Sequence, residues 1–331
     1  MRTLLLTGAT GFVGRNVLVK EAAKGTCILA PVRDVARLHA QLASEGISSA
    51  NVVPLATEPS TWGKIQPTHA LLSAGVLFAR TRQEYQLVNV DWTLEVLKAL
   101  PSSCRTVILS SQAAGGPTPA GCQARNEDHP DLPITHYGKS KLELETRVLR
   151  SSAKQHVTIL RPPMILGARD NAILPLFKMA SGLVRPKPGL RTKTYSFIDV
   201  EDLMQAVEAA WTCSERGPFY IASKRTVTDV ELIQIAARIV GIRGFTVPTP
   251  QILIQCLSFW VDAIPHLRNS APSLTRDRAR DIWVNQWVVD SSRFREQTNW
   301  QPACTVEQAL QRAYEFYIRT GLLKVKRTGL P

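Results

Sequence analysis

Thr7-Gly8-Ala9-Thr10-Gly11-Phe12-Val13-Gly14 is the stretch that decides the fold of this 331-residue chain. It follows a short apolar run, Thr3–Thr7, and opens a helical pattern over Phe12–Lys24. Glycines spaced G-x-x-G-x-x-G between a strand and a helix permit a tight turn and a close approach of backbone to ligand. The last of them lets the helix pack against the strand. The free amides and the positive end of the helix dipole then favour a pyrophosphate. A dinucleotide site on Gly8, Thr10, Gly11, Phe12, Val13 and Gly14 is therefore expected.

Outward from the loop, short apolar runs alternate with helical patterns. Strands are expected over Thr3–Thr7, Cys27–Pro31, Asn51–Leu55, His69–Ser73, Arg105–Ser110 and Val157–Arg161. Helices are expected over Phe12–Lys24, Val35–Glu45, Glu84–Leu100 and Tyr137–Ala153. This alternation predicts an α/β fold, a Rossmann-type doubly wound parallel sheet covered on both faces. After Pro162-Pro163 the rhythm breaks, and proline and glycine crowd between Gly182 and Gly189. The expected division is a nucleotide-binding domain over residues 1–166 plus about 194–222, and a smaller, mostly helical substrate lobe over about 167–193 and 223–331.

The end of the second strand reads Ala30-Pro31-Val32-Arg33-Asp34. An acid there would bind the adenosine ribose and repel a 2′-phosphate. Val32 stands where that acid is expected, and Arg33 is placed to bind a 2′-phosphate by charge-assisted hydrogen bonds, with Arg15 as a second cation. NADP(H) is expected ahead of NAD(H).

His136-Tyr137-Gly138-Lys139-Ser140-Lys141 opens another helix, with Tyr137 and Lys141 four residues apart on one face. An unperturbed phenol titrates near about 10. A neighbouring ammonium favours the phenolate and brings it toward the working range. The fifth strand ends in Ser110-Ser111, at the sheet edge where ligands bind. Ser111 is the candidate for holding a substrate oxygen, with Ser110 supporting the strand end.

These motifs together resemble the extended short-chain dehydrogenase/reductase superfamily, the NAD-dependent epimerase/dehydratase family. The resemblance rests on TGATGFVG, Asn89-Val90, LSSQAAGG, YGKSK, LRPPMILG and FIDVEDL in order, with Trp287-Val288-Val289-Asp290 and Asn299-Trp300-Gln301-Pro302 further on. It implies Ser111, Tyr137 and Lys141 as catalytic residues, with Asn89 supporting them. It implies Ser73, Ala74 and Gly75 along the adenosine and ribose side, and Pro162 and Ile165 facing the nicotinamide. The third strand ends Pro54-Leu55-Ala56-Thr57, without the aspartate such proteins turn toward adenine. The serine strand continues Gln112-Ala113, without the tyrosine-glycine of many nucleotide-sugar enzymes.

Three activities follow from the resemblance. The favoured one is an NADP(H)-dependent oxidoreductase interconverting a ketone and a secondary alcohol on an apolar small molecule, similar to the dihydroflavonol-reductase and 3β-hydroxysteroid-dehydrogenase branch. The alternative is a nucleotide-sugar epimerase or dehydratase with tightly bound NAD. Against it, Tyr195-Ser196 stands where sugar enzymes carry Arg-Asp, although Arg185 or Arg191 offers a substitute cation. The third is a non-enzymatic scaffold or RNA-associated protein, disfavoured because Tyr137 and Lys141 are both present and no aromatic–basic recognition motif occurs. The expected substrate pocket is Leu77, Phe78, Gln112, Met164, Leu174, Phe177 and Tyr195, closed by Phe259 or Trp260.

Composition sets the outer bounds. With 44% hydrophobic and 20% charged residues, the chain has enough apolar residues for a sizeable core. Six scattered cysteines without a C-x-x-C pair argue against a zinc framework and a disulfide scaffold, and a reduced, cytoplasmic protein is expected. No targeting peptide is read at the start of the chain, and no metal is expected. The partner is a small molecule and no specific nucleic acid, and the chain is expected to be a monomer or homodimer. A net charge of +13 with the apolar Ile252–Ile264 stretch leaves peripheral membrane contact as a minor alternative.

Overall fold

The computed structural model describes residues 2–151, 156–250 and 276–324. Its centre is strand β1 (Thr3–Thr7), whose Leu4, Leu5 and Leu6 are fully buried. Leu4 and Leu6 join one core, with Val17, Leu18, Leu203 and Trp211. Leu5 joins the core on the opposite face, with Val96, Leu97, Leu144 and Val148. A strand buried on both faces explains why the sequence there is an unbroken apolar run.

β1 pairs in parallel with β2 (Cys27–Pro31) on one side and β4 (His69–Leu72) on the other. β3 (Val52–Leu55) lies outside β2, and β5 (Arg105–Leu109) and β6 (Val157–Arg161) continue beyond β4. A seventh strand, Phe219–Tyr220, pairs with Leu160 and Arg161, giving one seven-stranded sheet. The order in which strands are added reverses between β1 and β4, and this switch point opens a crevice at the carboxyl ends of the strands.

Helices α1 (Phe12–Ala23) and α2 (Val35–Ser44) follow the first two strands. The single helix expected over Glu84–Leu100 is instead three pieces: α3 (Arg82–Tyr85), a π-helical segment Gln86–Asp91, and α4 (Trp92–Ala99). Asn89-Val90 thus lies inside the π segment and does not open a helix. A short α5 (Gln112–Gly115) and the long α6 (His136–Ser151) complete the first half. Two further short strands, Thr194–Tyr195 and Phe197–Asp199, pair in different small sheets.

A second core lies away from the main sheet. Phe177, Phe197, Leu232, Ile235, Leu310 and Tyr317 are buried together there, drawn mostly from helices Leu174–Ala180, Asp229–Val240 and Val306–Arg319. The Asn299-Trp300-Gln301-Pro302 motif docks on the helix Val200–Ala210. The Trp300 ring nitrogen donates to the Asp202 carbonyl, and the Asp202 carboxylate accepts from the Ala303 and Cys304 amides. Among the described residues no helix is long and apolar enough to cross a membrane. The cysteines Cys27, Cys104, Cys122, Cys213 and Cys304 are free. The Ile252–Ile264 stretch, with Phe259 and Trp260, lies outside the described residues.

Candidate active site

The glycine turn is built by close backbone contact. Gly8 has φ +72°, and a Cβ there would lie 3.0 Å from the Ala74 backbone. A Cβ on Gly14 would lie 2.0 Å from the Gly8 carbonyl oxygen, so α1 approaches the turn as only glycine allows. The Gly11 amide closes the turn on the Gly8 carbonyl at 2.8 Å. Gly11 caps α1 without a side-chain acceptor, leaving the first-turn amides to an anion. Facing this turn, the Ser73 hydroxyl donates to the Thr7 carbonyl, and the Ala74 amide donates to the Thr7 hydroxyl.

An open cleft of about 880 Å³ runs from the turn across the strand ends. Gly8, Thr10, Gly11, Phe12, Val13 and Gly14 of the turn after β1 line it, as do Ser73, Ala74 and Gly75 after the adjacent β4. Tyr137, Lys141, Pro162 and Ile165 line it on the β5–β6 side, and Arg33 lines it with Pro31 and Val32 on the β2 side. Except for Arg15, every residue expected from the sequence to meet the cofactor therefore faces one continuous space. The cleft also draws in Thr57, Glu58 and Pro59 from the loop after β3, and Trp92 and Glu95 from α4. The sequence reading missed Glu58, because it sought an acid at Ala56-Thr57.

On the β2 side, Val32 is buried and Arg33 is exposed. Asp34, the nearest acid, caps α2 by accepting the Arg37 amide at 2.9 Å. Arg15 does not join Arg33 as a second phosphate cation. It pairs with Glu45 at 2.7 Å, and Glu45 also takes the guanidinium of Arg169.

The Lys141 ammonium is buried, donates to the Leu109 carbonyl at 3.0 Å, and lies 5.9 Å from the centre of the Tyr137 ring. Burial lowers its pKa to about 8, opposed by the nearby Glu145 carboxylate. The half-buried Tyr137 ring also packs against Tyr85 at 6.3 Å. Ser111 caps α5, its oxygen accepting the Ala113 amide at 3.2 Å. With that acceptor position used, its O–H is left to donate. Ser110 lines the cleft and donates to Glu145.

Asn89 is fully buried and does not line the cleft. Its oxygen accepts the Val76 amide at 2.8 Å, and its nitrogen donates to the Val76 carbonyl and to Ser140, whose hydroxyl donates to the Tyr137 carbonyl. Asn89 thus clamps the Gly75-Val76 loop to the start of α6 and acts by position.

Of the expected substrate pocket, Leu77 lines the cleft and Phe78 is exposed. Phe177 belongs to the second core instead, fully buried against Tyr314 and Tyr317. The Gln112 side-chain oxygen is buried without a hydrogen-bond partner among the described residues. Burial pushes the Tyr195 phenol up to about 12.

A sequence model described as the NAD dependent epimerase/dehydratase family matches residues 4–220. The ceramide reductase of Caulobacter vibrioides (strain NA1000 / CB15N) is 26% identical over 296 residues, covering 88% of this chain and 87% of its own. The UDP-glucose 4-epimerase of Vibrio cholerae is 22% identical over 342 residues, covering 97% of each. Among solved structures, the Bordetella bronchiseptica enzyme WbmG in complex with NAD and UDP superposes with a TM-score of 0.74 at 18% identity, covering 98% of this chain and 96% of that one.

Proposed function

The chain belongs to the NAD dependent epimerase/dehydratase family, and from that premise we propose that it is an NADP(H)-dependent oxidoreductase interconverting a ketone and a secondary alcohol on an apolar small molecule. The observation that carries the cofactor choice is Arg33, exposed on the β2 side of the cleft, with Val32 where an acid would stand and Asp34 engaged in capping α2. In this reading the sheet body, residues 1–166 with about 194–222, holds the dinucleotide, and the remaining lobe meets the substrate.

The close contacts at Gly8 and Gly14 leave a cradle that fits a pyrophosphate. Gly8, Thr10, Gly11, Phe12, Val13 and Gly14 would hold it. Arg33 would take the 2′-phosphate, Ser73, Ala74 and Gly75 the adenosine side, and Pro162 and Ile165 the nicotinamide. When bound, that group supplies or accepts the hydride. The chain's own residues handle the oxygen. Tyr137 gives the substrate oxygen a proton in reduction and takes it in oxidation. Ser111 donates a hydrogen bond to the same oxygen. Lys141, while charged, lowers the cost of the phenolate, and Asn89 keeps the Gly75-Val76 loop and α6 in register.

A second reading, a nucleotide-sugar epimerase with tightly bound NAD, is favoured by the comparisons. They name an epimerase along nearly the whole chain and a fold neighbour holding NAD and UDP. Against it stand Ser196, buried and accepting the Val289 amide at 3.1 Å, and Arg185, buried and donating to the Ile242 carbonyl at 2.6 Å. Neither offers a free cation to a diphosphate, which leaves the exposed Arg191 as the one substitute named from the sequence. One experiment separates the two readings. NADPH oxidation across a panel of apolar ketones is expected, with no epimerisation of UDP-sugars in the absence of added cofactor. Epimerisation without ketone reduction refutes the first reading.

A further inference from the structure

Residues Val184–Pro188 and Phe245–Thr249 form a two-stranded parallel ribbon beside the second core. Parallel strands normally sit buried on both faces. Here one face is open, and its side chains are the reverse of what a water-facing strand carries. Val184 is 54% exposed, Phe245 62% and Val247 41%, with Leu183 and Leu190 at the two ends at 69% and 80%. The charged residues of the same strand point inward. Arg185 donates to the Ile242 carbonyl, and Lys187 donates to the Arg191 carbonyl at 2.8 Å and pairs with Asp229 at 3.3 Å. A slip of one residue would exchange the faces. The bonded cations fix the apolar side outward.

The surroundings of this face are cationic. Between Asp170 and Asp199 the sequence holds five cations and no acid, and of these Lys178 and Arg191 are exposed while Arg185, Lys187 and Lys193 are buried. Between Glu231 and Asp262 it holds Arg238 and Arg243 and no acid. Arg191 follows Leu190 directly, Arg243 stands two residues before Phe245, and both are exposed. Neither has an ion-pair partner among the described residues. An apolar strip rimmed by unpaired cations is complementary to a surface with an apolar interior and anionic headgroups.

We propose that the Leu183–Leu190 and Phe245–Val247 face docks on an anionic lipid bilayer, with the apolar side chains entering the headgroup boundary and Arg191 and Arg243 meeting the phosphates. The inference does not depend on which cofactor or substrate the cleft takes.

The test is co-sedimentation of the full chain with vesicles of mixed phosphatidylcholine and phosphatidylglycerol, compared with phosphatidylcholine alone. Binding to the mixed vesicles is expected to be about tenfold tighter and to weaken as salt is raised. Phe245→Ser with Val247→Ser is expected to lower that binding about tenfold at unchanged melting temperature, and Leu183→Ser to act in the same direction. Arg191→Gln with Arg243→Gln is expected to erase the preference for anionic vesicles. Failure to bind, or equal salt-independent binding to both vesicles, overturns the proposal. So does a serine variant that turns a dimer into a monomer while vesicle binding persists, which would assign the face to a second copy. A serine variant that leaves vesicle binding intact but speeds proteolysis within residues 251–275 would assign it to that segment, and overturns the proposal equally.

Discussion

The Glu145 carboxylate accepts the Ser110 hydroxyl at the end of β5 while pairing with the buried Arg161 at 2.5 Å. It stands one helical turn beyond Lys141, which donates to the neighbouring Leu109 carbonyl. One carboxylate therefore fixes the strand end to the helix that carries Tyr137. Glu145→Ala leaves Arg161 with Asp131 as its remaining carboxylate partner. It is expected to destabilise the fold by about 2–4 kcal/mol in urea unfolding, as removal of one member of a buried pair does. A loss below about 1 kcal/mol would show the network to be dispensable.

Arg33→Ala is expected to weaken NADPH binding about tenfold and leave NADH binding nearly unchanged, because the lost contact is to the 2′-phosphate alone. Fluorescence titration with both dinucleotides measures it. Equal affinity of the unaltered protein for the two refutes the assignment.

Tyr137→Phe removes one oxygen and the proton it carries. Turnover is expected to fall by about 10²–10⁴-fold with dinucleotide affinity retained. Retained turnover would move the proton-transfer role to another residue.

Lys141→Met is expected to abolish turnover yet stabilise the protein. Burial holds the Lys141 pKa at about 8 when folded, against 10.5 for the free side chain. Below pH 8 the ammonium is charged in both states and the full burial cost is present. As pH rises from 8 to 10.5 the folded side chain is neutral first, and the cost disappears. The methionine variant is therefore expected to gain about 1–3 kcal/mol at neutral pH and to lose that gain by pH 10.5. Denaturation across this range checks both parts, and a gain that does not depend on pH contradicts the cause given.

Much of the fold was legible because each signal was local. Three of the six expected strands, Thr3–Thr7, Cys27–Pro31 and Val157–Arg161, match to the residue. Strands buried on both faces are mostly apolar, and glycines bounded the first turn. The cleft was legible for the same reason, since its lining comes from strand ends and the turns that follow them. What stayed hidden was set by partners distant in sequence. Arg15 reads as a phosphate cation until Glu45 and Arg169 are placed beside it. Phe177 reads as pocket until Tyr314 and Tyr317 close over it. Ser110, read as only supporting the strand end, lines the cleft with its hydroxyl committed to Glu145 from α6, whereas Ser111 is not among the lining residues.

The π segment Gln86–Asp91 lay beneath sequence resolution too, because a single extra residue in a helical turn leaves the hydrophobic pattern almost intact. Its consequence is a change of phase. Asn89, inside the segment, turns away from the cleft toward the start of α6, whereas Leu87 and Val88 just before it and Trp92 and Glu95 after it line the cleft, with Trp92 donating to the Thr57 carbonyl at 2.6 Å. One continuous rod thus walls the cleft on both sides of the residue that clamps it to α6.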